Sequence, residues 1–233
     1  MATGEKGIIL ACDFSNKTET MRFLSAFLGQ NIFVKIGMEL FYGEGPSIVE
    51  EIKRMNFRIF LDLKLHDTPN TVKKAMKNIA KLGVDMTTIH AAGGKQMMLA
   101  AKEGLSSSSA SSLLLAVTVL TSLSAKIFKQ ELLISHPVEE VVVHYAKNAQ
   151  SSGVDGVVCS PLEAKTVKSA CGNDFVTVTP GIRYAETGDD QSRVATPSMA
   201  KTLGSDFIVV GRPITAADDP VAAYNRILTD FLG

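Results

Sequence analysis

The sequence predicts an α/β fold, a single parallel eight-stranded (β/α)8 TIM barrel spanning residues 1–233. Short apolar or β-branched runs recur along the chain, and stretches with helical spacing lie between them. No Gly-rich dinucleotide fingerprint follows the first run, which argues against an open doubly wound sheet. Strand followed by helix, repeated, means parallel βαβ units, and the length suits one closed barrel of about 250 residues.

The expected strands cover residues 7–14, 33–39, 58–65, 85–91, 113–122, 156–161, 175–180 and 207–212. Between them, apolar residues at helical spacing predict helices over 18–28, 46–55, 71–82, 96–103, 137–151, 162–170 and 199–203. The connection 123–153 is the longest, and an additional helix is expected at 126–133, ahead of the one that Pro137 opens. The Ser-rich tract 106–112 reads as a polar turn before the fifth strand.

Composition removes several classes of function. Twenty-four Lys and Arg balance 24 Asp and Glu, so the chain lacks the net positive field expected of a nucleic-acid or membrane-surface binder. Hydrophobic residues make up 45%, too many for a disordered chain. Cys12, Cys159 and Cys171 are odd in number and widely spaced, which suits a reducing compartment and suggests neither a disulfide framework nor a zinc site. The first residues lack the apolar stretch of a signal peptide, and the run 113–120 falls far short of the roughly 20 residues of a membrane span. A cytoplasmic protein is expected, in which the triplet Asn16-Lys17-Thr18 carries no glycan.

Side-chain alternation locates the chemistry. In strand 58–65, Ile59, Leu61, Leu63 and Leu65 share one aliphatic face, while Phe60, Asp62 and Lys64 share the other. The aliphatic face packs on helices, so the charged face points into the barrel. Ile9, Ala11 and Asp13 follow the same rule in the first strand, as do Phe33 and Lys35 in the second. Each charge falls near the C-terminal end of its strand, where barrel enzymes do their chemistry, and unpaired each would cost several kcal/mol. Their signs balance.

The other strand ends supply His90, Thr121, Ser122, Pro180, Gly181, Arg183, Gly211 and Arg212. Loops seven and eight of such barrels commonly bind phosphate, and Arg183 near Gly181 with Arg212 beside Gly211 points to a phosphorylated substrate. The polar segment 184–197, with Gly188, Asp189, Asp190 and Gln191, has the length and composition of a lid over that phosphate.

The run from Asp62 through Lys64, Asp67 and Asn70 to Thr71 resembles the DxKxxD signature of the orotidine 5′-phosphate decarboxylase family, a signature shared by a wider suprafamily. The similarity extends, in order, over Ala11-Cys-Asp13, Val34-Lys35-Ile-Gly37, the segment 116–122, Thr179-Pro-Gly-Ile-Arg183, Gly188-Asp-Asp-Gln191 and Val210-Gly-Arg212-Pro213. It is closest to the bacterial type. The resemblance implies a carboxy-lyase that converts orotidine 5′-phosphate to UMP and CO2 without metal or cofactor.

The resemblance also implies residue roles. Lys35, Asp62, Lys64 and Asp67 would form an alternating charge array around C6 of the pyrimidine, with Asp67 reaching into the neighbouring site of a homodimer. Asp13, Lys35 and Thr71 would hold the ribose, and Thr121 and Ser122 would face the pyrimidine. Arg212, Gly211, Gln191 and Arg183 would bind phosphate, with Pro180 lining the same pocket. Two alternatives stand beside this reading. A Mg²⁺-dependent sugar-phosphate decarboxylase of the suprafamily would carry an acidic metal ligand where Lys35 lies, and a cation there repels Mg²⁺. A non-catalytic barrel that binds a nucleotide phosphate would have no need of an intact charged array.

Overall fold

The computed structural model describes residues 5–108, 111–184 and 193–233. Eight parallel strands close into a barrel in chain order, with β1 (Gly7–Cys12) hydrogen-bonded to both β2 (Phe33–Gly37) and β8 (Phe207–Val210). Between these lie β3 (Arg58–Leu65), β4 (Met86–His90), β5 (Leu113–Val117), β6 (Gly156–Val158) and β7 (Val176–Thr179). No helix among the described residues is long and apolar enough to cross a membrane.

The helices that cover the barrel begin with α1 (Lys17–Ser25), α2 (Met38–Glu44), α3 (Ser47–Arg54), α4 (Pro69–Leu82) and α5 (Gly94–Leu105). They continue with α6 (Ala125–Gln130), α7 (Val138–Ser151), α8 (Pro161–Cys171), α9 (Pro197–Thr202), α10 (Arg212–Thr215) and α11 (Pro220–Leu232). Their starts are written in side chains. Asn16 caps α1 by accepting the Glu19 N–H, and Ser160 with Glu163 forms a reciprocal capping box on α8. Proline occupies the first turn of α4, α8, α9 and α11, where its missing N–H costs nothing.

Two apolar layers follow from strand alternation. Ile9, Ala11, Phe33, Phe60, Met86, Leu115, Val178, Phe207 and Val209 fill the barrel interior. Phe33 and Phe207, flanking β1, meet edge to face with ring centroids 6.2 Å apart. The alternate residues, among them Ile8, Leu10, Val34, Ile36, Ile59 and Leu61, form the larger layer between sheet and helices.

The N-terminal end of the barrel is tied by a repeated device. Gly83-Val-Asp85, Gly153-Val-Asp155 and Gly204-Ser-Asp206 precede β4, β6 and β8, and all three glycines have positive φ, from 61° to 90°. That conformation turns the chain sharply out of the preceding helical segment. Each aspartate then accepts a backbone N–H from the preceding strand: Ile59 to Asp85, Leu114 to Asp155 and Thr177 to Asp206, all at 2.8 Å. Each also meets a cation, namely Arg58, Lys102 and Lys168.

Several elements differ from expectation. The second strand stops at Gly37 because Met38 starts α2, and the fifth ends at Val117, with Thr121 and Ser122 in the following loop. The additional helix expected at 126–133 is present as α6, shortened by Leu133, whose φ is +55°. The C-terminal α11, unassigned in the sequence, packs on α9, α10 and β1. In the Ser-rich tract, Ser106 caps α5 and the Ser112 hydroxyl donates to the Val84 carbonyl at 2.5 Å.

Asp206 is the most heavily used of the three staples: it is buried, and it also accepts from the Thr177 hydroxyl. Asp206→Ala leaves the mostly buried Lys168 ammonium without its carboxylate. Urea unfolding is expected to show a loss of about 3–5 kcal/mol, the range for breaking a buried pair from one side.

Candidate active site

Asp13, Lys35, Asp62 and Lys64 converge at the C-terminal mouth of the barrel and line one cavity of about 570 Å³. They form two ion pairs. Lys35 Nζ donates to Asp13 Oδ1 at 2.7 Å, and Lys64 Nζ donates to Asp62 Oδ2 at 2.7 Å. Asp13 sits at the rim, with its side chain 59% exposed, whereas the Lys35 and Asp62 side chains are each 11% exposed. Gly37 makes room for the first pair: a Cβ there would come within 3.2 Å of both Asp13 Oδ1 and Lys35 Nζ.

Burial by itself would push the Lys35 ammonium toward losing its proton. The Asp13 and Asp62 carboxylates outweigh that effect and raise its pKa above the ordinary lysine value of 10.5. A raised lysine stabilises the fold below its unfolded pKa, so this contribution persists through neutral pH and is lost only above the ordinary lysine range. Lys35 is therefore a fixed positive charge at working pH.

Lys64 is placed by an irregularity in β3. Leu61 pairs with Thr87 and Leu65 with Ile89, so four steps along β3 match two along β4. Within that bulge Lys64 has φ +51°, a left-handed conformation that costs a non-glycine residue about 1–3 kcal/mol. Strand alternation alone puts Lys64 on the inner face. The bulge and the left-handed backbone set how its side chain meets Asp62.

Loops five, seven and eight supply the rest of the wall. Thr121, Ser122, Pro180, Gly181, Arg183, Gly211 and Arg212 all line the cavity, with Phe60, Val117 and Val158 as its apolar floor. Gly181 has φ +81°, and at Gly211 an added Cβ would touch Ala11 at 3.5 Å. Backbone can thus approach a ligand closely at both loop ends. Gln191 lies outside the described residues, as does most of the expected lid.

Asp67 and Thr71 are not part of this chain's cavity. Asp67 is exposed just before α4, where its carboxylate accepts the Thr68 backbone N–H at 2.6 Å and the Thr68 hydroxyl at 3.1 Å. Those bonds hold it below the usual carboxylate range. The Thr71 hydroxyl lies 3.1 Å from that of Thr68. Asp67 lies between the end of β3 and the start of α4, and Thr71 lies in the first turn of α4. His90, at the end of β4, is held below its ordinary value of 6.5 by burial, then by His66 and Lys64, and is neutral at pH 7.

Two residues escape the sequence reading. Thr88, buried on β4, bonds both to Asp62 and to the Lys64 backbone. Arg193 pairs with the buried Glu163 of α8 and donates to the Leu120 carbonyl at 3.0 Å, tying the segment before α9 to the loop that carries Thr121 and Ser122. Burial raises the Glu163 carboxyl, and Arg193 opposes the shift. Only the capping pattern Ser160-x-x-Glu163 offers a signal for this cluster in the sequence, and it concerns a helix start.

Fold and site define a parallel (β/α)8 barrel with its paired lysines and aspartates at the C-terminal mouth, the face that barrels of this class use for chemistry. The chain belongs to the Orotidine 5'-phosphate decarboxylase / HUMPS family, whose profile matches residues 6–227. It is 53% identical to the orotidine 5′-phosphate decarboxylase of Geobacillus thermodenitrificans, over 97% of this chain and 96% of that protein. It is 56% identical to that of Listeria monocytogenes, over 96% and 97%. The solved structure of orotidine 5′-phosphate decarboxylase from Lactobacillus acidophilus superposes with a TM-score of 0.87 at 46% identity, covering 98% of this chain and all of that one. An uncharacterized conserved protein from Geobacillus kaustophilus gives the same score at 47% identity, over 97% and 100%.

Arg193→Met is expected to lower stability by about 3–5 kcal/mol in urea unfolding, since it strands a buried carboxylate. Adding Glu163→Gln should recover part of that loss. Equal stability of the single variant and the wild type would contradict the clamp.

Proposed function

We propose that the protein decarboxylates orotidine 5′-phosphate to UMP and CO2, without metal or organic cofactor, in the cytoplasm. The observation that carries this reading is the Lys64–Asp62 pair, set in the same cavity as Arg212 and Gly211. Phosphate on the loop-eight side would leave the pyrimidine over the paired charges. Family membership and the names of the full-length relatives support the same reaction.

The chemistry follows from the residue types. Loss of CO2 from C6 leaves an electron pair in the plane of the ring, with no π system to spread it and no cofactor to accept it. A positioned ammonium stabilises that pair, and Lys64 then delivers the proton that replaces CO2. Asp62 orients the ammonium through their ion pair, and Lys35 adds fixed positive charge beside Asp13, which together hold ribose hydroxyls. The phosphate is remote from the bond that breaks, so its binding energy goes into closing the site and positioning the ring. Arg183, Arg212 and Gln191 take that part, while Thr121 and Ser122 face the pyrimidine and Pro180 bounds the pocket.

Asp67 completes the array across a homodimer. Its exposure, and its absence from the cavity of its own chain, support a role in the partner's site. Lys35 stands on β2, where the Mg²⁺-dependent alternative needs an acid, and a fixed cation there disfavours a divalent ion.

An ultraviolet assay in excess EDTA should follow conversion of orotidine 5′-phosphate to UMP. Lys64→Ala is expected to abolish turnover, whereas Arg212→Ala should mainly raise KM. Activity only on a sugar phosphate with added Mg²⁺ would overturn the proposal. Mixing Lys64→Ala with Asp67→Asn subunits tests the shared site: random heterodimers carry one intact site, restoring about a quarter of wild-type activity from two inactive parents. No recovery after verified subunit exchange would contradict it.

A further inference from the structure

Thr88 is fully buried on β4, and the chemistry above gives it no task. Its hydroxyl lies between the two working parts of β3. Oγ1 donates to Asp62 Oδ1 at 2.9 Å and accepts the Lys64 backbone N–H at 2.9 Å. A hydroxyl has one proton and two lone pairs, so both bonds can be made together. The other carboxylate oxygen, Asp62 Oδ2, takes the Lys64 ammonium at 2.7 Å. Threonine hydroxyl, carboxylate, ammonium and lysine backbone therefore form one closed ring of contacts.

That ring sits where β3 departs from its regular ladder with β4 and where Lys64 is left-handed. In a regular ladder the Lys64 N–H would go to a backbone carbonyl; here it goes to a side chain. Without the hydroxyl, a buried carboxylate oxygen loses a donor and the strained peptide loses its acceptor. Thr87, the preceding residue on the same strand, supplies an internal contrast. It is equally buried, yet its Oγ1 has no hydrogen-bond partner among the described residues.

We propose that Thr88 is a positioning residue for Lys64: its hydroxyl holds the lysine's left-handed backbone and the Asp62 carboxylate in the arrangement that aims the ammonium into the cavity. The inference rests on the decarboxylase reading of this site. It predicts a loss in the chemical step with binding largely preserved, because phosphate and ribose contacts lie on other strands and loops.

The test compares Thr88→Val, Thr88→Ser, Thr88→Ala and Thr87→Val in the orotidine 5′-phosphate assay, with UMP binding measured alongside. Thr88→Val is expected to lower kcat by about 100-fold, the scale on which small misplacements of a catalytic group act, while KM and UMP affinity stay within about threefold. Thr88→Ser should stay near wild type, and Thr87→Val should be unaffected. The Ser and Ala variants both lack the methyl group, so their difference isolates the hydroxyl even if the Val variant does not fold. Wild-type kcat in Thr88→Ala, or Thr88→Ser as slow as Thr88→Ala, would overturn the role of the hydroxyl. Inert wild-type protein would overturn the decarboxylase reading and this inference together, whereas active wild type with unaltered hydroxyl-free variants would overturn this inference alone.

Discussion

An ammonium at the mouth of an apolar barrel is costly unless a carboxylate accompanies it, and a carboxylate there is costly for the same reason. The pairing of Lys64 with Asp62, and of Lys35 with Asp13, meets that constraint twice within one cavity. The two pairs give the mouth strong local fields while adding no net charge of their own; Arg183 and Arg212 supply the positive excess in the same cavity. Such fields cost no reorganisation when a reaction develops charge, which is why fixed groups in a partly dry site outperform water. The interior layer of Ile9, Phe33, Phe60 and Phe207 is what makes the site dry from below.

Function and stability occupy opposite ends of the barrel. At the N-terminal end, Asp85, Asp155 and Asp206 each bond a neighbouring strand and meet a cation, and their environment serves closure of the sheet. At the C-terminal end, aspartates meet lysines inside an open cavity, beside loops that glycine allows to approach a ligand. The same pair of residue types does different work because one set is used up by backbone groups and the other faces a ligand-sized space. The strain at Lys64 belongs to the second set. A left-handed lysine persists only where its surroundings over-determine it, and Thr88 with Asp62 provides that surrounding.

Much of this was legible from alternation alone. Ile9, Ala11 and Asp13, like Phe33 and Lys35, needed only a period of two to be placed inside, and the barrel followed from the repeat of strand and helix. What escaped has physical causes. A bulge has no period, so the way Lys64 meets Asp62 could not be read from spacing. Thr88 belongs to a strand of mixed polarity, Met86-Thr-Thr-Ile-His90, where alternation does not distinguish a bonding hydroxyl from an idle one. The Gly-x-Asp triplets were present as a repeat, and their positive-φ glycines mark the turn into three strands. Asp67 and Thr71 sit in the family motif, yet sequence adjacency to Lys64 does not bring them into the same cavity: β3 ends at Leu65, Asp67 lies just before α4 and Thr71 in its first turn.

On the proposed reading, the charged pair on β3 acts directly at C6 of a pyrimidine whose phosphate is held by the loop after β8. A crystal structure with UMP bound tests it most directly. Phosphate is expected against Gly211 and Arg212, with Lys64 Nζ within about 3.5 Å of C6. Phosphate in that place with the pyrimidine turned away from Lys64, or UMP seated outside this cavity, would contradict it.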